Sequence, residues 1–155
     1  MSAKEEEFEI TRLLSTPTNH MEVEGELCKL FYKKFGDEAL PIIQAVFREW
    51  GLYIGQRRKA QMQGEGLKAA AETHLRPALE REPKPEIIEL SDERVEIKVF
   101  TCPYRLKGWG RPLCAAMEAM DGAIMETLLG GKIAGGQLEA IAAGDECCHS
   151  VITLG

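Results

Sequence analysis

The chain has 155 residues, of which 45% are hydrophobic, enough to build the core of one ordinary domain. Its formal net charge is −6 at pH 7, so there is no positive field that would attract a polyanion, and we expect neither nucleic acid nor a membrane surface as a partner. The acidic N-terminus lacks the apolar stretch of a signal peptide, and no run of about eighteen apolar residues occurs. We therefore expect a cytoplasmic protein.

The first half of the chain, residues 1–82, has apolar residues at the spacing that predicts helices. A short amphipathic helix is predicted over Glu5–Leu14, and a second one runs from Val23 to a stop at Gly36. Asp37 is interpreted as the N-cap of a third helix. An alanine-rich segment follows, where a fourth helix is predicted over residues 67–79.

The third predicted helix has a broad apolar surface, which is typical of a helix buried between neighbours. This surface consists of Ile42, Ile43, Val46, Phe47, Trp50 and Ile54. Gly51 and Gly55 lie four residues apart on the same helix, where the missing side chains permit another backbone or a ligand to approach closely. We favour the first interpretation, close packing against a second helix.

The second half, residues 83–155, has the pattern of two hairpins joined by a helix. Apolar and charged residues alternate around residues 86–99, which predicts the first hairpin, and a helix is expected from Pro112 to a stop at Gly130. The remainder is interpreted as the second hairpin. We therefore predict a single α+β domain over residues 1–155, with N-terminal helices packed on a four-stranded antiparallel sheet.

Four of the five cysteines lie in the last third of the chain, and they are Cys102, Cys114, Cys147 and Cys148. In a reducing compartment such thiols are more often buried apolar groups, metal ligands or nucleophiles than disulfides. Cys28 stands alone within a helical pattern, and we assign it to the core.

The helix after Pro112 carries Cys114, Glu118 and Asp121 at positions i, i+4 and i+7, so these residues share one face. A thiol and two carboxylates on one face bind a metal or supply a nucleophile with a general acid or base. The alternative is a buried cysteine beside two solvated acids. Cys102, before Pro103, ends the preceding strand and is expected near this helix. The candidate catalytic residues are Cys102, Cys114, Glu118 and Asp121.

A cysteine pair and a histidine follow the predicted turn at Gly144 and Asp145. In a regular strand Cys147 and Cys148 point to opposite faces, so only one of them can reach the helix. Thiols and imidazole have affinity for zinc or another thiophilic divalent metal, although the spacing matches no zinc-finger pattern. The candidate metal ligands are Cys114, Cys147, Cys148 and His149. His20 and His74 are isolated and are interpreted as surface or capping residues.

Three segments together resemble the L-2-amino-thiazoline-4-carboxylic acid hydrolase family. They are Val99–Tyr104 with Cys102, Pro112–Cys114 with Asp121 seven residues on, and Gly144-Asp145 followed by Cys148. The resemblance implies a small-molecule hydrolase that opens a cyclic C–N or C–S bond. Cys102 or Cys114 would then act as nucleophile or metal ligand, and Glu118 or Asp121 would handle protons. The chain departs from the family at Ser150, where an aromatic residue is common.

That family is distantly similar to vinyl-reductase-type ligand-binding domains, to phenol-sensing domains of bacterial activators and to subunits of the TRAPP trafficking complex. The wider resemblance implies an α+β fold, a homodimer and, in the phenol sensors, a structural zinc held partly by cysteines. Cys114 and Cys148 fall near two of those ligand positions, but Ile141 occupies the third. The site would have to be completed by Cys102, Cys147, Glu139 or His149.

Three functions follow from these observations, and each predicts a different structure. A hydrolase should have a polar cavity where Cys114, Glu118 or Asp121 meets Cys102. A small-molecule or metal sensor should have an enclosed apolar cavity, with any metal apart from it. A structural protein that assembles through a dimer interface should have an exposed apolar helix face and no pocket.

Overall fold

The computed structural model describes residues 2–13 and 15–155, and it describes the side chains of these except at positions 8 and 10–13. Five helices and four strands form an α+β fold in this part of the chain. The helices are α1 (Ala3–Leu13), α2 (His20–Phe35), α3 (Ala39–Lys59), α4 (Gly66–Leu75) and α5 (Arg111–Leu129). The strands are β1 (Glu86–Leu90), β2 (Arg94–Val99), β3 (Ile133–Glu139) and β4 (Cys148–Leu154). None of these helices is both long enough and apolar enough to cross a lipid bilayer.

The helix ends follow local capping signals. The Asn19 side chain accepts a hydrogen bond from the Glu22 N–H at the start of α2, and Gly36 ends that helix with φ +62°. Asp37 was predicted to be the N-cap of α3, and this prediction was wrong. Asp37 lies in a 3₁₀ turn between α2 and α3, and Glu38 is the N-cap. For α1, the last predicted residue, Leu14, lies outside the described residues. Helix α4 ends at Leu75, four residues earlier than predicted, and a second 3₁₀ turn follows it.

The sheet is antiparallel throughout, with the strand order β1-β2-β4-β3. The last strand is therefore central. Ser150 in β4 is paired with Ile97 of β2 on one side and with Gln137 of β3 on the other. The two hairpins and the joining helix confirm the predicted fold class.

The core has two parts, both built on α5. The first packs α3 against the N-terminal half of α5 and includes Ile43, Phe47, Leu113 and Met117. The second packs α4 and the C-terminal half of α5 onto the sheet and includes Leu67, Val95, Ile124 and Leu128. Full burial of each such side chain contributes about 1.5–3 kcal/mol of transfer free energy. The second cluster joins α5 to the sheet, next to the candidate residues.

The contact between α3 and α5 depends on the two glycines of α3. A Cβ atom at Gly51 would lie 2.9 Å from the Met120 Cα, and one at Gly55 would lie 2.7 Å from the Thr127 Cβ. Both distances are too short for a side chain, so the helices approach closely only because these positions are glycine. The predicted close helix packing is confirmed.

The prediction that α3 is buried between neighbours was wrong for one of its faces. Ile43 and Phe47 are buried against α5, whereas Ile42, Val46 and Trp50 are 50–62% exposed. The apolar spacing of α3 is continuous around more than one face, but α5 covers only the face that carries the two glycines.

Candidate functional site

A cavity of about 620 Å³ lies between α5 and the sheet. Successive side chains of a strand point to opposite faces, so Cys148, Ser150 and Ile152 of β4 approach it from one face of the sheet. Apolar side chains form most of its wall. Examples from the sheet are Ile97, Val99 and Ile152, and examples from α5 are Met117, Ile124 and Met125. Both the volume and the apolar lining are in the range of small-molecule sites, which enclose about 300–1,000 Å³.

The four candidate catalytic residues, Cys102, Cys114, Glu118 and Asp121, all line this cavity. Cys148 lines it as well, from the central strand. The sequence spacing thus identified groups that the fold brings together, although their chemical roles remain predictions.

Glu118 is the cavity group with the most perturbed protonation. Burial, with a smaller contribution from the neighbouring Asp121 carboxylate, raises the pKa of Glu118 from 4.5 to about 7. Gln137 Nε2 on β3 donates a hydrogen bond of 2.6 Å to Glu118 Oε1. The amide oxygen of Gln137 in turn accepts a weak bond from the Cys114 thiol at 3.8 Å. Sequence reasoning missed Gln137, although it lies at the alternating position that faces the cavity two residues after Gly135.

Cys114 does not have the surroundings of an activated nucleophile. Burial, the Glu118 carboxyl group and the nearby Cys148 and Cys102 thiols raise the pKa of Cys114 to about 12. A reactive cysteine requires the opposite effect, a neighbouring positive charge that lowers the thiol pKa. The Cys114 thiol is therefore protonated at neutral pH.

The other two cavity thiols accept hydrogen bonds from the backbone. The Leu106 N–H lies 3.4 Å from the Cys102 sulfur, and the Ile141 N–H lies 3.5 Å from the Cys148 sulfur. Burial raises the pKa of Cys148 despite its backbone hydrogen bond. Cys28 packs at the edge of the α3–α5 core, as predicted, and burial raises its pKa to about 11.

The interpretation of His74 as a surface or capping residue was wrong. Its side chain is 15% exposed and lines the cavity. Its Nε2 lies 3.1 Å from Asp121 Oδ1, and its Nδ1 lies 3.5 Å from Arg58 Nη1. We assign the ring proton to Nε2, since the guanidinium can only donate. A signal for this position existed in the sequence. His74 is seven residues after Leu67 and shares the buried face of α4 with Ala70 and Ala71.

The loop between β2 and α5 contributes Tyr104 and Leu106 to the lining of the cavity. The Tyr104 ring meets Phe47 edge to face, with ring centroids 6.0 Å apart, and burial raises the pKa of its hydroxyl. Arg105 has a left-handed backbone, φ +55°, which costs energy in a residue other than glycine. Lys29 Nζ on α2 donates to the Arg105 carbonyl at 3.2 Å and holds this conformation.

The four candidate metal ligands are divided between the two faces of the sheet. Cys114 and Cys148 line the cavity. His149 points away from it and bonds Glu96 through Nε2 at 2.7 Å, and Cys147 lies 4.0 Å from Glu139. Alternation along β4 is the reason for this division.

Within the described residues, no group of three or more His, Cys, Asp or Glu side chains is arranged to hold a metal ion. The implied structural zinc would need three or four such donors around one point. The donor set therefore does not fit a zinc ion as the structure places it.

The α+β arrangement described above is also that of a sensory domain whose structure has been solved. That structure is the phenol-responsive sensory domain of the transcription activator PoxR with phenol. The TM-score is 0.62, and the match covers 99% of this chain and 92% of that one at 14% sequence identity. At this identity the likeness establishes the fold alone. No protein-family model and no curated protein matches the sequence.

Proposed function

We propose that the chain is a non-catalytic domain that binds a small organic molecule in the cavity between α5 and the sheet. The observation that carries this proposal is the cavity itself, with about 620 Å³ of mostly apolar space and a few polar groups at one place. Such a site binds through burial of apolar surface and selects its ligand through the polar groups.

The likeness to PoxR supports this proposal, since that protein's domain responds to phenol. On this proposal the α+β fold of the present chain binds a small molecule in its own cavity. Phenol is the ligand of PoxR alone, because a shared fold does not imply a shared ligand.

The chemistry of the thiols favours binding over hydrolysis. The Cys114 thiol is protonated at neutral pH, with a pKa of about 12, and so is a poor nucleophile. The hydrolase activity that the family resemblance implies remains a prediction.

The hypothesis of a purely structural protein predicted an exposed apolar helix face and no pocket. The structure has an exposed apolar face on α3 but also has the cavity. Self-association into a homodimer also remains a prediction.

A neutral fluorescent probe, N-phenyl-1-naphthylamine, tests the proposal, because its fluorescence rises in apolar cavities. Ser150→Phe fills the cavity from the central strand, and we expect it to weaken probe binding at least tenfold. Thr153→Phe is the matched control, since it adds the same ring on the opposite face of β4, and we expect binding within twofold of the wild type.

Equal probe binding by the wild type and Ser150→Phe would contradict the proposal. So would ring opening of 2-amino-thiazoline-4-carboxylate by the purified protein. If Cys102→Ala and Asp121→Asn, both still folded, lost that ring opening, the chain would be a hydrolase with the residues that its sequence predicts.

A further inference from the structure

The two carboxylates of the cavity differ in how their charge is balanced. Asp121 is 46% exposed at its side chain, and its Oδ1 accepts a hydrogen bond from Nε2 of His74, whose Nδ1 faces Arg58. Solvent and the His74 N–H thus both meet the Asp121 carboxylate. Asp121 therefore has polar partners even without a ligand.

Glu118 has no such compensation. Within the described residues it forms a hydrogen bond with Gln137 but no ion pair. The titratable groups that face it are Asp121 and Cys114 on its own helix and Cys148 on β4. Each of these groups is neutral when protonated and negative when ionised, so none of them stabilises a negative charge on Glu118. A carboxylate in mostly apolar surroundings is costly unless a cation or several donors meet it.

Gln137 also fixes the direction in which Glu118 binds. Its amide nitrogen donates a hydrogen bond to Glu118 Oε1. The Cys114 thiol donates to the amide oxygen of Gln137 and so orients the amide group. The second carboxyl oxygen of Glu118 is left for another partner. That oxygen belongs to a residue that lines the cavity, beside walls that suit an aromatic or aliphatic group.

We propose that the ligand of this cavity is a small apolar molecule with a basic nitrogen, whose protonated amine pairs with the Glu118 carboxylate. The inference rests on the binding function proposed above and names the class of its ligand. Arg58 and Arg81 also line the cavity, but neither pairs with Glu118, so the amine supplies the cation that Glu118 lacks among the described residues and its N–H groups bond the second oxygen. The raised pKa of Glu118, about 7, is consistent with a buried carboxyl group that has no cationic partner in the absence of the ligand.

Displacement of the naphthylamine probe by three matched compounds tests this inference. They share an ethyl-substituted benzene ring and differ in the polar group, which is cationic in 4-ethylbenzylamine, neutral in 4-ethylbenzyl alcohol and anionic in 4-ethylbenzoate. At pH 8 we expect the wild type to bind the amine at least tenfold more tightly than the alcohol and to bind the benzoate most weakly. Glu118→Gln should weaken amine binding at least tenfold and change alcohol binding less than twofold.

Glu126→Gln is the matched control, because it removes one carboxylate from the same helix outside the cavity. Its amine affinity should stay within twofold of the wild type.

Each outcome decides between the two proposals. If the alcohol or the benzoate binds as well as the amine, or if none of the three displaces a bound probe, the amine inference is overturned while the binding function stands. If the probe itself does not bind, the binding function fails and the inference fails with it. The ranking of the three compounds by the wild type needs no variant, so it decides even if Glu118→Gln does not fold.

Discussion

Glu118 on α5 and Gln137 on β3 are joined by a hydrogen bond of 2.6 Å between Gln137 Nε2 and Glu118 Oε1. This bond connects the central helix of the fold to an edge strand of the sheet. Both residues line the mostly apolar cavity. Because β3 reaches Glu118 only through the hairpin with β4, the pair exists only in the folded chain.

The raised pKa of Glu118 makes the stability of the protein depend on pH. Since the pKa is about 7 when folded and 4.5 as the ordinary value, the folded state binds more protons between these values. Stability contributed by the protonated acid is therefore present at low pH and is lost as the pH rises towards 7. We expect Glu118→Gln to remove this loss and to be roughly 1–3 kcal/mol more stable than the wild type at pH 8.

Urea unfolding at pH 5.5 and pH 8 measures this effect. Glu126→Gln should keep the pH dependence of the wild type, because Glu126 lies at the surface and is paired with Lys132. An unchanged pH dependence in Glu118→Gln would show that the carboxyl group is not held at a raised pKa.

Two glycines on the packed helices should respond oppositely to alanine. Gly51→Ala places a methyl group against the Met120 backbone, so we expect a loss of about 1–3 kcal/mol of unfolding free energy. Gly122→Ala on α5 meets nothing within 4 Å, so the lower entropy of the unfolded chain should stabilise the protein by about 0.5–1 kcal/mol. Thermal unfolding of both variants measures the difference, and a Gly51→Ala variant as stable as the wild type would refute the close contact.

The buried ion pair of Glu26 and Lys29 should be far more costly to break than a surface pair. Both side chains are 6% exposed, their charged atoms are 2.6 Å apart, and the second oxygen of Glu26 has no partner within the described residues. Lys29→Met leaves the buried Glu26 carboxylate without its cation, although the Ser15 hydroxyl still donates to Oε1, and we expect a loss of about 3–5 kcal/mol.

Lys132→Met, which breaks an exposed pair with Glu126, should cost about 1 kcal/mol or less by the same urea measurement. A double variant, Glu26→Gln with Lys29→Met, should recover part of the loss because it removes the unpaired charge. Equal costs for Lys29→Met and Lys132→Met would contradict this account.

The cavity thiol Cys114 should react slowly with alkylating reagents. With a pKa of about 12 instead of 9.0, its thiolate fraction at pH 8 is lower by roughly a thousandfold. We expect iodoacetamide to modify Cys114 at least 100-fold more slowly in the folded protein than in urea, as measured by mass spectrometry of peptides. Rapid modification of Cys114 in the folded protein would instead indicate an activated nucleophile and favour the hydrolase.

Much of the fold could be predicted because its signals are local. The period of apolar residues predicted α2, α3 and α5, the glycine stops at Gly36 and Gly130 marked two helix ends, and alternation predicted the first hairpin. A helix or strand imposes these spacings by its own geometry, whatever packs against it. For the same reason, Cys114, Glu118 and Asp121 could be placed on one helix face in advance.

By itself, then, the sequence determined most of the secondary structure and the set of groups that α5 presents. Only the tertiary structure decided which face of α3 is buried, that His74 and Gln137 belong to the cavity, and that Cys148 faces it while His149 does not. These outcomes depend on segments far apart in the chain meeting in space. The protonation of Glu118 belongs to the same class, since burial by distant residues sets its pKa.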